Sequence, residues 1–244
     1  MIHLKGGLPM KKILSCLLVI IMLLSLCACG SSGNSDDVRG EIVTEGKKDD
    51  ATEGNIIEET DAPTEKEFSL GKATGDTYRN EFLGVSFTLP EGWEFYSEQQ
   101  MMQMNNLVGE YMDEDAAALL ENANIVYDMM ASDPISGSSL NINLEKFSPV
   151  QILTMDVKAV LESQIATLIT TYENMGYTDV QVNYEKITVD GNELDSIALT
   201  AKIQGIDFYS NIFAFKRGSY LANVAVGSLQ TNEIDTILNN FTMD

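Results

Sequence analysis

The side chains best suited to nucleophilic and soft-metal chemistry are confined to the first 29 residues. The three cysteines are Cys16, Cys27 and Cys29, and the single histidine is His3. Ser-His-Asp triads, Cys-His pairs and His-ligated zinc or copper sites each need at least one of these residue types. Beyond residue 29 the chain therefore has only carboxylate, Lys, Tyr and Ser/Thr groups for chemistry.

The N-terminal segment has the three parts of a secretory signal peptide. Two lysines precede an uncharged, mostly apolar run over residues 13–26, and the small residue Ala28 stands directly before a cysteine. The apolar run is shorter than the roughly 20 residues that a membrane-spanning helix needs. An uncleaved membrane anchor is the alternative interpretation. The start is either Met1 or Met10, because Met-Lys-Lys is a natural beginning for such a signal.

The sequence Leu26-Cys27-Ala28-Cys29 resembles the lipobox of bacterial lipoproteins. In that family the final Cys receives a diacylglycerol and becomes the first residue of the mature protein. The resemblance implies that residues 1–28 are a signal peptide, that Leu26, Ala28 and Cys29 define the cleavage site, and that Cys29 carries acyl chains such as palmitate. Two or more acyl chains anchor a protein far more firmly than one. We therefore expect a lipid-anchored protein on the extracytoplasmic face of the cell membrane.

The charge of the chain is strongly negative. The whole sequence has 15 Lys and Arg against 37 Asp and Glu, a net charge of −22. Removing residues 1–28 removes three lysines and no acid, so the mature chain has 12 basic and 37 acidic residues and a net charge of −25. Such a surface repels nucleic acids and anionic headgroups, so we expect no nucleic-acid partner. It suits solubility, a cationic partner or hard cations.

The mature chain divides into a tether and one domain. Residues 29–75 are rich in acids and poor in apolar residues, which favours an extended, disordered tether behind the lipidated Cys29. Residues 76–244 have the length and apolar content of a single globular domain.

Hydrophobic periodicity within the domain predicts an α+β fold with an antiparallel sheet flanked by helices. Ser97 and Gln100 form a capping box at the start of a Met-rich helix. The predicted helices cover about 97–112, a short segment after Asp113, 154–175 and a segment from Thr231 through Phe241. The predicted strands cover 82–89, 124–131, 138–147, 179–189, 193–203, 206–216 and 219–227. Short turns containing Gly join the last four strands as hairpins.

The spacing of several residues in the domain resembles the PsbP-like superfamily, which includes many bacterial lipoproteins. The matching positions are Tyr78, Asn80, Gly84, Val85, Phe87, Pro90, Gly92 and Trp93, then Asp128 and Ser138–Ile142, and finally Ile234, Leu238 and Phe241. The resemblance implies an α/β/α sandwich that ends in a helix, together with a binding or assembly role. It implies no catalytic residue and no cofactor.

Apolar side chains that either cover the core or form a binding surface are the candidates for a ligand or partner face. We selected Trp93, Met101, Met104, Tyr209 and Phe213. Methionines form adaptable apolar surfaces, so the Met-rich helix lines either a groove or the core. Aromatic residues on the late strands that point away from the helices could form a ligand face.

Two acidic stretches are candidate cation sites. Asp113-Glu114-Asp115 suits a helix start, and the segment 190–195 suits a hairpin turn better than a calcium loop. We therefore predict no metal site.

The sequence supports three hypotheses of function. The first is a non-enzymatic, membrane-tethered module that binds a protein partner or assembles an envelope complex. The alternative is a solute-binding lipoprotein for a small cationic ligand. A carboxylate-dependent hydrolase is the third, although nothing selects one pair of acids among those in the domain.

Overall fold

The structure is a computed structural model that describes residues 67–105 and 125–244. The predicted signal peptide, Cys29, most of the predicted tether and the acids at 113–115 lie outside these residues. In the described part, the helices are α1 (Glu98–Met104), α2 (Pro149–Thr154), α3 (Val157–Asn174) and α4 (Ile234–Leu238). None of these described helices is long and apolar enough to cross a membrane.

Eleven strands in the described residues form two antiparallel sheets. The small sheet has the order β1-β2-β3-β11, and the large sheet has the order β4-β5-β6-β10-β9-β8-β7. The strands are β1 (Lys72–Thr74), β2 (Thr77–Asn80), β3 (Val85–Thr88), β4 (Glu94–Phe95), β5 (Ile125–Ser132), β6 (Ser139–Lys146), β7 (Tyr177–Val189), β8 (Asn192–Ile203), β9 (Ile206–Arg217), β10 (Tyr220–Leu229) and β11 (Phe241–Met243).

The late strands pair in sequence order, as the turn residues predict. At two of the turns both central residues have positive φ: 49° and 80° at Asp190-Gly191, and 55° and 82° at Gln204-Gly205. Two-residue hairpins with this geometry match the natural twist of the flanking strands. The strand order β10-β9-β8-β7 follows from these short connections.

The large sheet is covered on both faces. On one face α3 places Leu161, Leu168 and Tyr172 against Ile197 and Phe208. On the other face the small sheet and α4 pack against the sheet through a second cluster that includes Phe87, Ile237, Phe241, Phe213 and Val224. The α+β class with an antiparallel sheet and flanking helices is confirmed.

The folded domain begins before the predicted boundary at residue 76. Phe68 stacks on Tyr220 with ring centroids 4.7 Å apart, and β1 pairs with β2. The prediction of a tether through residue 75 was therefore wrong for this short segment. Its local composition is polar, but long-range contacts of Phe68 and Leu70 with the core supply the stabilisation.

The C-terminus also differs from the expected terminal helix. Only Ile234–Leu238 is helical, and Phe241 lies in β11, where it pairs with Phe87 of β3. The apolar spacing of Ile234, Leu238 and Phe241 places all three in one core cluster without requiring a continuous helix. The helix predicted over 154–175 is α3, and the short helix before it was not predicted: Ser148 caps α2, which has Pro149 in its first turn.

Candidate functional site

A cavity lies between the N-terminal segment 68–74, α1 and β5; we call it the β5 cavity. Its volume is about 740 Å³. It is lined by Phe68, Ser69, Leu70, Gly71, Lys72, Ala73, Thr74, Tyr78, Phe95, Tyr96, Glu98, Met101, Met102, Asn105, Tyr127, Asp128, Met129 and Met130. Half of these residues are aromatic or methionine, and such side chains pack adaptably around apolar ligands.

Helix α1 supplies the methionine wall. Its first turn is fixed by the predicted capping box: Ser97 Oγ accepts from the Gln100 amide at 3.3 Å, and Gln100 Oε1 accepts from the Ser97 amide at 2.8 Å. Met101 then lies in the cavity wall. Met104 packs beneath it with Tyr127 and is only 9% exposed. The helical spacing therefore separates a cavity-facing methionine from a core methionine.

Asn105 fixes the end of α1 to the edge of β5. Its Oδ1 accepts from the Tyr127 amide at 2.8 Å, and its Nδ2 donates to the Tyr127 carbonyl at 2.9 Å. The side-chain amide thus pairs with one residue of the strand as a neighbouring strand would. This contact holds the two walls of the cavity in register.

Asp128 occupies an irregularity in β5. The pairing of β5 with β6 shifts between Tyr127 and Met129, so Asp128 is the extra residue of a β-bulge. Bulges redirect a side chain and often lie beside functional sites. Here the bulge brings a carboxylate to the wall of the cavity within an otherwise apolar stretch of strand.

The carboxylate of Asp128 accepts from three neutral donors. Its Oδ1 accepts from the Gly71 amide at 2.8 Å, and its Oδ2 accepts from Asn80 Nδ2 at 2.6 Å and from the Tyr78 hydroxyl. These donors belong to the N-terminal segment and to β2. The Asp128 network therefore joins the small sheet to the large one.

Asn80 and Gly71 allow the network to form. Asn80 is fully buried, and its Oδ1 accepts from the Leu83 amide at 2.8 Å, which orients its Nδ2 toward Asp128. A Cβ at Gly71 would overlap the ring of Tyr78, so only glycine permits this close approach.

Protein surroundings change the titration of both acidic groups in the network. Shielding from solvent raises the pKa of Asp128, and the three hydrogen bonds oppose this only in part. Burial is also the main cause of the pKa of Tyr78 lying well above its ordinary value, with the charge of Asp128 second. Within residues 67–105 and 125–244, no Lys or Arg forms an ion pair with Asp128. Among these residues its charge is thus compensated by dipoles alone.

The five predicted face residues do not form one surface. Met101 lines the β5 cavity and Met104 lies beneath it. Trp93 is half-buried and packs edge-on against Phe87 at 6.0 Å, and Phe213 is 0% exposed. The prediction of Phe213 as a face residue was wrong because the small sheet covers that side of β9, with Phe241 5.9 Å from its ring.

Tyr209 lies at a second, more polar cleft of about 490 Å³ between the large sheet and α4. Glu185 and Asp235 also line it. Asn211 Nδ2 donates to Glu185 at 2.8 Å, and Asn211 Oδ1 accepts from Ser196 Oγ at 2.5 Å. Two of the polar side chains that line this cleft, Asn211 and Glu185, are therefore bonded to each other.

Asp128, Tyr78 and Gly71 were absent from the predicted site. Tyr78, Asn80 and Asp128 appeared only as structural matches to a family pattern. The sequence contains one feature that could have indicated this site. A single Asp stands between Val126-Tyr127 and Met129-Met130, and an acid is unusual in an apolar strand. The described residues contain no group of three or more His, Cys, Asp or Glu side chains placed to hold a metal ion.

Comparison with known proteins identifies no family. No protein-family model matches the sequence, and no protein of curated function matches it significantly. The resemblance to the PsbP-like superfamily therefore stays a prediction.

Solved structures show only distant likeness. One is LpqN, described as involved in cell envelope biogenesis of Mycobacterium tuberculosis, with 10% identity and a TM-score of 0.35 over 65% of this chain and 82% of that chain. Another is a protein of Bacteroides thetaiotaomicron VPI-5482, with 9% identity and a TM-score of 0.36 over 70% of this chain and 48% of that chain. Scores this low carry no inference about function.

Proposed function

We propose that this chain is a lipid-anchored extracytoplasmic protein whose folded domain binds a ligand in the β5 cavity without transforming it. The cavity itself is the observation that carries the proposal. Its volume of about 740 Å³ lies within the roughly 300–1,000 Å³ typical of small-molecule sites. Mainly apolar walls with a small number of polar groups are the usual design of such sites.

The anchor is supported by the N-terminal sequence. Leu26, Ala28 and Cys29 have the lipobox spacing, and an acidic segment of the kind that self-repulsion extends follows them. The net charge of −25 after removal of residues 1–28 would keep the domain off an anionic bilayer. A tethered domain held in this way can sample ligands outside the cell.

The absence of catalysis is supported by the side chains that remain after processing. Without residues 1–28 the sequence has no His, and its one Cys is the proposed site of lipid attachment. The hydroxyl of Tyr78 and the carboxylate of Asp128 are bonded to each other at the β5 cavity. This arrangement suits rigid support of a binding wall.

As a second candidate function, the domain binds a protein partner through another surface, on α2. On α2, Val150 and Leu153 are 71% and 80% exposed, which is unusual for two apolar residues one turn apart on the same helix. Crosslinking from position 150 in intact cells tests this alternative. A single specific adduct that disappears in Leu153→Asp supports it.

An uncharged apolar dye tests the cavity directly. Phenylnaphthylamine becomes strongly fluorescent in apolar sites, so we expect saturable binding of one dye per molecule of the mature chain, residues 29–244 with Cys29→Ser. Met102→Trp should weaken binding by about tenfold, because the larger ring fills space that the dye needs.

Val150→Trp is the matched control. It adds the same ring on α2, outside the β5 cavity, and should leave the affinity unchanged. No saturable binding to the parent chain, or equal affinities for the parent chain and Met102→Trp, contradicts the proposed function.

A further inference from the structure

The β5 cavity holds one carboxylate that faces apolar surroundings. Asp128 is half-buried and lines the cavity together with Met101, Met129 and Tyr96. The other charged lining residues, Lys72 and Glu98, are exposed. Asp128 is thus the charge that a ligand inside the cavity would meet.

The hydrogen bonds of Asp128 leave room for a further donor. In the described structure its Oδ1 accepts from the Gly71 amide alone, whereas its Oδ2 accepts from two groups. A carboxylate oxygen can accept about two hydrogen bonds. Oδ1 therefore has capacity for a donor that approaches from the cavity.

The carboxylate of Asp128 has no positively charged partner among the described residues. The three donors to Asp128 are neutral, and no Lys or Arg of the described chain pairs with it. A carboxylate shielded from water gains more from a cation than an exposed one does. The strongly negative protein also raises the local concentration of cations.

We infer that the β5 cavity binds a small amphiphilic amine, with its ammonium group on Asp128 Oδ1 and its apolar body against the methionine and aromatic walls. This inference rests on the proposed function and names the ligand class of the same site. Thioether and aromatic side chains suit an apolar body of variable shape. Aromatic faces near the ammonium add cation–π attraction.

Three probes of equal chain length test the inference: octylamine, octanol and octanoate. Calorimetric titration of the mature chain with Cys29→Ser should show octylamine binding about tenfold or more tightly than octanol, because its ammonium group adds a charge–charge attraction to Asp128 that a hydroxyl group lacks. Octanoate should bind more weakly than octanol, since its charge repels Asp128.

Two variants test whether Asp128 causes the preference for the amine over the alcohol. Asp128→Asn should reduce the ratio of amine to alcohol affinity to about one while octanol and phenylnaphthylamine still bind. Glu98→Gln removes an exposed acid that also lines the cavity and should leave the ratio unchanged. Loss of the preference in Glu98→Gln alone would overturn the assignment to Asp128.

The outcomes separate this inference from the proposed function. If the parent chain binds phenylnaphthylamine but binds octanol as tightly as octylamine, the amine class is wrong and the binding function stands. If the dye also fails to bind, both are wrong. The comparison in the parent chain needs no variant, so it stays decisive even if Asp128→Asn does not fold.

Discussion

At the scale of single residues, Asp128 links the fold to the candidate site. A bulge in β5 directs its carboxylate to the cavity wall, where Gly71, Tyr78 and Asn80 donate to it. The same group therefore joins two sheets and gives the cavity its charge. Hydrogen bonds to a charged group contribute more than neutral ones, so removing any partner should be measurable.

Substitution of Gly71 should disturb this network by steric overlap. Gly71→Ala places a methyl group inside the ring of Tyr78 and should lower the free energy of unfolding by about 2 kcal/mol. Gly75→Ala is the control: it has open space around its Cβ and should cost about 1 kcal/mol through its positive φ alone. Urea denaturation measures both, and equal losses would argue against the close approach.

The titration of Asp128 predicts a pH dependence of stability. Because its pKa is raised in the folded state, the unfolded chain releases the proton first, and the contribution of Asp128 to stability falls as the pH rises above the ordinary Asp pKa of about 4. The Asn side chain in Asp128→Asn has no titrating group, so this variant lacks the pH-dependent contribution of position 128. The difference in unfolding free energy between the parent chain and Asp128→Asn should therefore be largest near pH 4 and smaller at pH 7. A difference that grows with pH would show that the pKa is lowered instead.

At the scale of elements, α1 and β5 act as the two walls of the cavity. The junction is the side chain of Asn105, which bonds both backbone groups of Tyr127. β4 pairs with β5 only at Ala131 and Ser132, so Asn105 protects a part of the strand edge that β4 does not reach. Strand edges without partners open easily.

Removal of the side-chain amide of Asn105 should loosen the edge of β5 near Tyr127. In Asn105→Ala, the amide hydrogen of Tyr127 should exchange about tenfold faster or more, since each of the two hydrogen bonds that are lost contributes about 1 kcal/mol. Gln103→Ala, an exposed change on the same helix, should leave the exchange rate as in the parent chain. Unchanged exchange in Asn105→Ala would mean that other groups protect Tyr127.

Periodicity predicted the elements that local sequence controls. The strands β5 to β10 and α3 were expected near their observed positions, because alternation and capping residues specify them directly. The capping box at Ser97 and Gln100 was confirmed for the same reason. In the small sheet, β3 lies within the strand predicted over 82–89, but β1 and β11 were missed because they have only three residues each. β11 is held by pairing with the distant β3.

The candidate site was predicted only in part. Met101 was selected and lines the cavity, whereas Phe213 was selected and lies in the core. Strand alternation shows that two residues share a face, but not what covers that face. Asp128, Tyr78 and Gly71 are separated by up to 57 positions and meet only through a bulge and a glycine contact, which no local pattern describes.

At the scale of the whole molecule, the proposed anchor and the folded domain are separate parts. The domain begins by residue 68, and its core is formed by residues far along the chain, such as Tyr220. The acidic segment between Cys29 and the domain has a composition that does not favour folding. The domain should thus be free to bind ligands while the lipid holds it at the membrane.

Labelling with radioactive palmitate tests the anchor in bacterial cells that express the chain. The parent chain should incorporate label and remain with the membrane fraction, while Cys29→Ala should incorporate none, because Cys29 is the lipobox thiol that receives the lipid. Cys27→Ala is the matched control and should stay labelled. Label that persists in Cys29→Ala would place the lipid elsewhere.

The most direct measurement of the central claim follows the methionine methyl groups by NMR while phenylnaphthylamine is added to the mature chain with Cys29→Ser. Met101, Met102, Met129 and Met130 line the β5 cavity, whereas Met155, Met175 and Met243 lie elsewhere in the domain. Our account predicts that the first group shifts in proportion to dye binding and that the second group does not. Shifts confined to the second group, or no shifts at saturating dye, would contradict it.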